Sequence, residues 1–118
     1  MESFDPEPAH ITRNRSQLQR FITEKAPREK RRAWDRSHSW PRDLFQEIAD
    51  MGYIGLTIPP EFGGAGQDIV AAVTVIEELS LAGAFIAGPY IHAAFYGGMN
   101  ISENGSPEQQ EALLPRIA

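Results

Sequence analysis

A chain of 118 residues, 42% apolar and 23% charged, has room for one compact domain of about 13 Å radius of gyration, and a large enclosed cofactor site would have to be shared with another domain. The lack of cysteine excludes a disulfide framework, a thiolate zinc site, a cysteine nucleophile and an iron–sulfur cluster, and agrees with a reducing cytosol. The net charge of -5 is uneven: residues 1–36 carry 9 Lys/Arg against 6 Asp/Glu, and residues 37–118 carry 2 against 10, a balance that repels nucleic acid.

No apolar run approaches the roughly 18 residues of a membrane span, and the acidic start is unlike a signal peptide, so the expected location is cytoplasmic. Residues 1–11, with two prolines and three acids, are expected to form a flexible tail. From Thr12, Leu18, Phe21, Ile22 and Ala26 fall at helical spacing. Pro27 bends or interrupts that helix, which resumes through Trp34. A short helix follows with Pro41 as its first residue, a stripe of Leu44, Phe45, Ile48 and Ala49, and Gly52 as its stop.

Residues 53–58 look strand-like, yet no other segment could pair with them, so a buried extended connection is expected. Gly63, Gly64 and Gly66 mark a flexible turn. Asp68 then opens a central helix whose stripe reads Ile69, Ala72, Val73, Ile76, Leu79 and Ala82. The apolar stretch 84–101 is a helix started or kinked at Pro89. Ser106, Pro107 and Gln109 form a capping box for a last helix with Leu113, Leu114 and Ile117 on one face. The last helix has no capping glycine before Ala118, as expected of a piece of a longer protein. The fold class is all-α, an up-down bundle of about five helices.

The chemical constellations are modest. From Gly64 and Gly66 the third position of a dinucleotide fingerprint is Ile69, so the glycines read as a turn rather than a phosphate cradle. Arg28, Arg32 and Arg36 share a helical stripe, but interspersed acids make it a solvated face. Glu77 and Glu78 diverge by about 100 degrees on a helix, so at best one faces a partner, as a salt bridge rather than as an acid/base pair. His10, His38 and His92 are scattered, which gives no metal site. His92 reads as a hydrogen-bonded core or pocket residue, and Trp34 and Trp40 as core anchors. Tyr90, Ile91, Ala94 and Phe95 form a packing stripe, with an apolar ligand wall as the sharper alternative. The helices at 69–83 and 84–101 are too apolar for the others to cover, so an exposed patch and self-association of the excised domain are expected.

The ordered set Trp34-Asp35-Arg36, Trp40 to Leu44, Met51 to Leu56, Ile58 to Gly66, Glu77-Glu78-Leu79 and Gly105 to Gln110, ending at Leu114-Pro115, resembles the acyl-CoA dehydrogenase family. The resemblance runs from about residue 12 to the end and implies the N-terminal helical domain, 12–118, of a three-domain enzyme whose middle β-domain and C-terminal helical domain are absent here. It implies α,β-dehydrogenation of an acyl-CoA thioester, with a glutamate taking the α-proton and FAD the β-hydride, all beyond Ala118. No catalytic or cofactor-binding residue is therefore expected here, and the segment alone should be inactive.

The resemblance also implies a homo-oligomer, dimer or tetramer, when the protein is complete. Its contribution to this segment is the floor of the acyl-tail pocket at Gly88, Pro89, His92 and Ala93, together with interdomain contacts. Pro89 and the aromatics Tyr90, Phe95 and Tyr96 depart from the family pattern and would reshape that pocket. The alternatives are a related flavin oxidase or monooxygenase, or a non-catalytic helical interaction module.

Overall fold

The computed structural model describes residues 6–118. Residues 1–5 of the expected tail lie outside the described residues. Helix α1 spans Ala9–Lys25, starting three residues before Thr12. The Pro8 carbonyl accepts the amides of Ile11 and Thr12 at 3.0 and 3.1 Å, and Ile11 is only 2% exposed. Residues 9–11 therefore belong to the packed helix and not to a tail. Its buried face is Ile11, Asn14, Leu18 and Phe21, spaced by three and four as one helix side requires.

Pro27 ends α1 outright and stands as the N-cap of α2, Arg28–Ser37. That helix buries no residue, and Trp34 reaches inward to tilt against Phe85 at 5.9 Å. Helix α3, Arg42–Asp50, buries Leu44 and Ile48. Pro41 is its N-cap rather than its first helical residue, because Pro41 O already accepts the amides of Leu44 and Phe45. Gly52, at φ 88, turns the chain out of α3 in the left-handed region that favours glycine.

Tyr53, Ile54, Leu56 and Ile58 are buried as expected, but the segment is coiled into turns rather than extended. With no strand to pair against, its amides bond locally: Leu56 N to Tyr53 O at 3.3 Å and Ile58 N to Gly55 O at 3.1 Å. After a 3₁₀ turn, Pro60–Phe62, the glycine loop doubles back over this segment. The amides of Gly64, Ala65, Gly66 and Gln67 donate to Pro59, Gly55, Ile58 and Leu56 carbonyls at 2.7–3.2 Å. The loop is thus a hydrogen-bonded clamp and not a flexible turn. A Cβ at Gly64 would collide with the Ile58 carbonyl, which explains the bare residue there.

Helix α4, Ile69–Ala82, is capped by Asp68, whose side chain accepts Ala71 N at 2.8 Å. Its buried face is Ala71, Ala72, Thr74, Val75, Glu78, Leu79 and Ala82, while Ile69 and Val73 of the expected stripe are 54% and 42% exposed. Because α4 is apolar nearly all round, periodicity does not choose its face. The side packed on α1 is the one where small alanines permit close approach and where Glu78 finds Arg15 and Gln19, while Thr74 bonds back to Val70 O within α4.

Gly83 separates α4 from a continuous helical rod: α5, Ala84–Ile91, a π-helical stretch, His92–Met99, and α6, Asn100–Asn104. The rod starts before Pro89 and runs through it. Helix α7, Pro107–Ile117, opens on the expected reciprocal Ser106 and Gln109 bonds of 3.1 and 2.9 Å. It buries Leu114 completely, leaves Leu113 38% exposed and holds Ile117 partly buried.

Counting that rod once, six helices make up the described fold, which is all-helical; the complete break at Pro27 adds one to the five expected. The chain forms a slab of 47 × 44 × 20 Å, about two helix diameters thick, so its radius of gyration is 15.4 Å and exceeds that of a compact sphere. A slab this thin cannot enclose every apolar side chain. Val70, Leu81 and Tyr96 are accordingly 57%, 75% and 66% exposed, as the apolar excess in 69–101 leads one to expect.

Candidate functional site

Gly88, Pro89, His92 and Ala93 all lie on the Ala84–Asn104 rod, one turn apart in pairs. A Cβ built on Gly88 meets nothing within 4 Å, so this surface is open. His92 is exposed, and its Nδ1 lies 2.8 Å from Gly88 O. A carbonyl only accepts, so Nδ1 carries the proton in this bond and fixes the ring. Tyr96 meets the imidazole edge-on at 5.1 Å. His92 is therefore neither a core residue nor enclosed; it is a surface group tied to its own helix.

Tyr90 points the other way. It is fully buried and donates to Tyr53 O at 3.0 Å, while the Tyr53 hydroxyl donates to Gln17 Oε1 at 2.6 Å. Burial pushes the Tyr53 phenol up to about 12, and burial, then the neighbouring Tyr53, pushes Tyr90 higher still. Tyr90 thus packs, and the alternative that it walls or reshapes a ligand pocket is overturned: it is a strut between the rod and the connection after α3. Ala94 is also buried, with Ile91 and Phe95 partly so, which makes the stripe packing.

Other sequence candidates take structural roles. Glu77 and Glu78 both reach Arg15 Nη1, at 2.9 and 3.0 Å, because the guanidinium lies between them at the α1–α4 seam. Glu78 is 3% exposed and also accepts from Gln19 Nε2 at 3.2 Å. These carboxylates, and then Glu7, hold the Arg15 pKa above its ordinary value. Arg28, Arg32 and Arg36 face solvent. His10 lies 3.4 Å from Asp68, whereas His38 closes α2 in the left-handed region at φ 52, so the three histidines stay apart.

Trp34 is partly buried as an anchor, but Trp40 is 42% exposed and donates its indole N–H to Phe85 O at 2.8 Å. Sequence reasoning missed this contact, although Pro89, four residues after Phe85, signals a carbonyl in need of a donor. It also missed a groove along the same rod lined by Phe95, Tyr96, Met99 and Asn100.

The rod thus presents an open helical face on a thin slab that leaves apolar residues uncovered. The chain belongs to the acyl-CoA dehydrogenase family, matching its description "Acyl-CoA dehydrogenase, N-terminal domain" over residues 10–118. It is 38% identical over 86 residues to a cyclohex-1-ene-1-carbonyl-CoA dehydrogenase of Syntrophus aciditrophicus, covering 70% of this chain and 20% of that protein. It is 34% identical over 86 residues to an acryloyl-CoA reductase (NADH) of Anaerotignum propionicum, covering 70% and 21%. The solved acyl-CoA dehydrogenase of Bacillus anthracis, complexed with FAD, superposes with a TM-score of 0.84 at 26% identity, over 98% of this chain and 20% of that one. The chain thus spans about a fifth of the length of these relatives.

That solved relative holds FAD, but the glycine loop of this segment does not fit a flavin pyrophosphate. Its four successive amides, Gly64 to Gln67, are all spent on carbonyls of the chain, which leaves none to meet a phosphate oxygen.

Proposed function

We propose that this chain is the N-terminal helical domain of an FAD-dependent enzyme that dehydrogenates an acyl-CoA thioester between its α and β carbons. The rod face at Gly88, Pro89, His92 and Ala93 serves as wall and floor for the acyl tail. The observation that carries this reading is the open space over Gly88 beside an exposed His92 whose ring is locked onto the Gly88 carbonyl. A bare glycine admits an alkyl chain close to the helix backbone, and the fixed imidazole bounds it. Each methylene buried there contributes about 0.8 kcal/mol, so a wall far from the reacting carbons still selects substrates.

The flavin and the proton-abstracting carboxylate belong to parts of the protein beyond this segment. The uncovered apolar residues of α4 and the rod are interdomain contacts of the complete protein, a cytoplasmic homo-oligomer. The domain is the helical unit 12–118, with α1 extending it to Ala9.

A second reading has one observation behind it: a relative is named a reductase, which is the same bond chemistry run in the opposite direction. A tail wall serves either direction, since it does not touch the carbons that change. The test is to mix the complete protein with straight-chain acyl-CoA and follow flavin bleaching and 2-enoyl-CoA formation. Turnover by the complete protein, with neither turnover nor stoichiometric FAD on residues 1–118 alone, is the expected result. Tight FAD binding by the isolated segment contradicts the reading.

A further inference from the structure

Pro89 stands inside α5, where its missing amide leaves Phe85 O without the donor that a helix normally supplies. That acceptor is nevertheless satisfied, by the Trp40 indole at 2.8 Å from 45 positions earlier in the chain. An indole has one N–H and no acceptor, so Trp40 commits its whole polar capacity to this carbonyl. The ring is held in place by Phe45 of α3, at 5.4 Å and tilted by 49°. On the other side Trp34 of α2 tilts against the Phe85 ring at 5.9 Å. The residue whose carbonyl proline orphans is therefore gripped by two tryptophans just before the turn that bears Gly88 and His92.

We propose that Trp40 is a positioning residue for the acyl-tail wall: by supplying the hydrogen bond that Pro89 cannot, it sets the course of the rod at Gly88, His92 and Ala93, and so the tail length admitted. This rests on the reading of that face as the tail wall. Helices kink where their ladder is broken, and a donor from outside limits the kink to one geometry. Trp40 acts through Phe85 O and needs no contact with the substrate. Its exposure at 42% fits this role, since a core anchor would be covered.

The experiment is a double-mutant cycle in the complete protein: wild type, Trp40→Phe, Pro89→Ala and both together. Phenylalanine keeps a ring against Phe45 and removes the donor, whereas alanine at 89 restores an amide that can serve Phe85 O. The readout is the ratio of kcat/KM for a long over a short straight-chain acyl-CoA. With proline at 89, Trp40→Phe changes that ratio by about fivefold, the worth of one net hydrogen bond, and with alanine at 89 by less than about twofold. A merely structural tryptophan would change thermal stability and leave the ratio alone.

Equal shifts in both backgrounds, or no shift with proline in an active enzyme, overturn the proposal. Thermal unfolding of the same four proteins is the control on the bond itself. The loss caused by Trp40→Phe is larger with proline than with alanine, and equal losses overturn the substitution of one donor for the other. If that coupling holds while no variant turns over acyl-CoA, the tail-wall reading falls and this role with it, and only the hydrogen bond stands.

Discussion

The α1–α4 pair and the Ala84–Asn104 rod are both apolar helical packing, yet they are built on opposite principles. In the pair, Leu18, Val75 and Leu79 are fully buried, Asp68 caps α4, and Arg15 stitches the seam to Glu77 and Glu78. In the rod a proline breaks the ladder, eight residues run as π-helix, and Tyr96 is 66% exposed. The pair spends its residues on stability. The rod carries local costs in its broken ladder and π-helical stretch, and such stretches are frequent at functional sites.

Four outcomes would test that contrast. Leu79→Ala in the pair removes a fully buried side chain and should cost about 2–5 kcal/mol in chemical denaturation, whereas Leu81→Ala, two residues on and 75% exposed, should change stability by less than about 0.5 kcal/mol. Comparable losses would mean that the buried face is misassigned. Tyr90→Phe, which leaves the buried Tyr53 carbonyl with only the 3.3 Å bond from Leu56 N, should cost about 0.5–1.5 kcal/mol by the same measurement. Glu77→Ala, at an exposed end of the Arg15 cluster, should cost at most about 1 kcal/mol and less in high salt.

The pH dependence is a further test of the Tyr90–Tyr53 strut. The folded-state Tyr53 pKa is raised to about 12 from 10.0, so the folded chain holds its phenolic proton more tightly than the unfolded one. The resulting stability is full below pH 10 and is lost as pH rises from there through 12. Tyr53→Phe should flatten the alkaline limb of a denaturation profile measured against pH. An unchanged limb would mean that the phenol is solvated in the folded protein.

What could be read from residues alone depended on whether the signal was local. The Ser106–Gln109 box and the Asp68 cap are set by neighbours three positions apart, and both stand as expected. The inner face of α4 was not legible, because Ile69, Val70 and Val73 are as apolar as the residues that are buried. Nor was the coiling of residues 53–58, which depends on the glycine loop returning over them. That Tyr90 packs could be read from its stripe, but its role as a strut could not, because its hydroxyl partner is 37 positions away. Of the candidate site, the shared face of Gly88 and His92 follows from their four-residue spacing, but the Nδ1 bond that orients the ring does not.

Whether the rod is the acyl-tail wall is measured most directly by the acyl chain-length profile of the complete protein with and without Gly88→Leu. A Cβ at 88 meets no neighbouring group within 4 Å, so the larger side chain starts into open space over the rod, and thermal unfolding checks that the fold accepts it. The expected result is that kcat/KM for long chains falls by about tenfold or more while short chains are spared, in line with about 0.8 kcal/mol for each of roughly two methylenes displaced from the wall. A profile that Gly88→Leu lowers uniformly, or leaves unchanged, would contradict it.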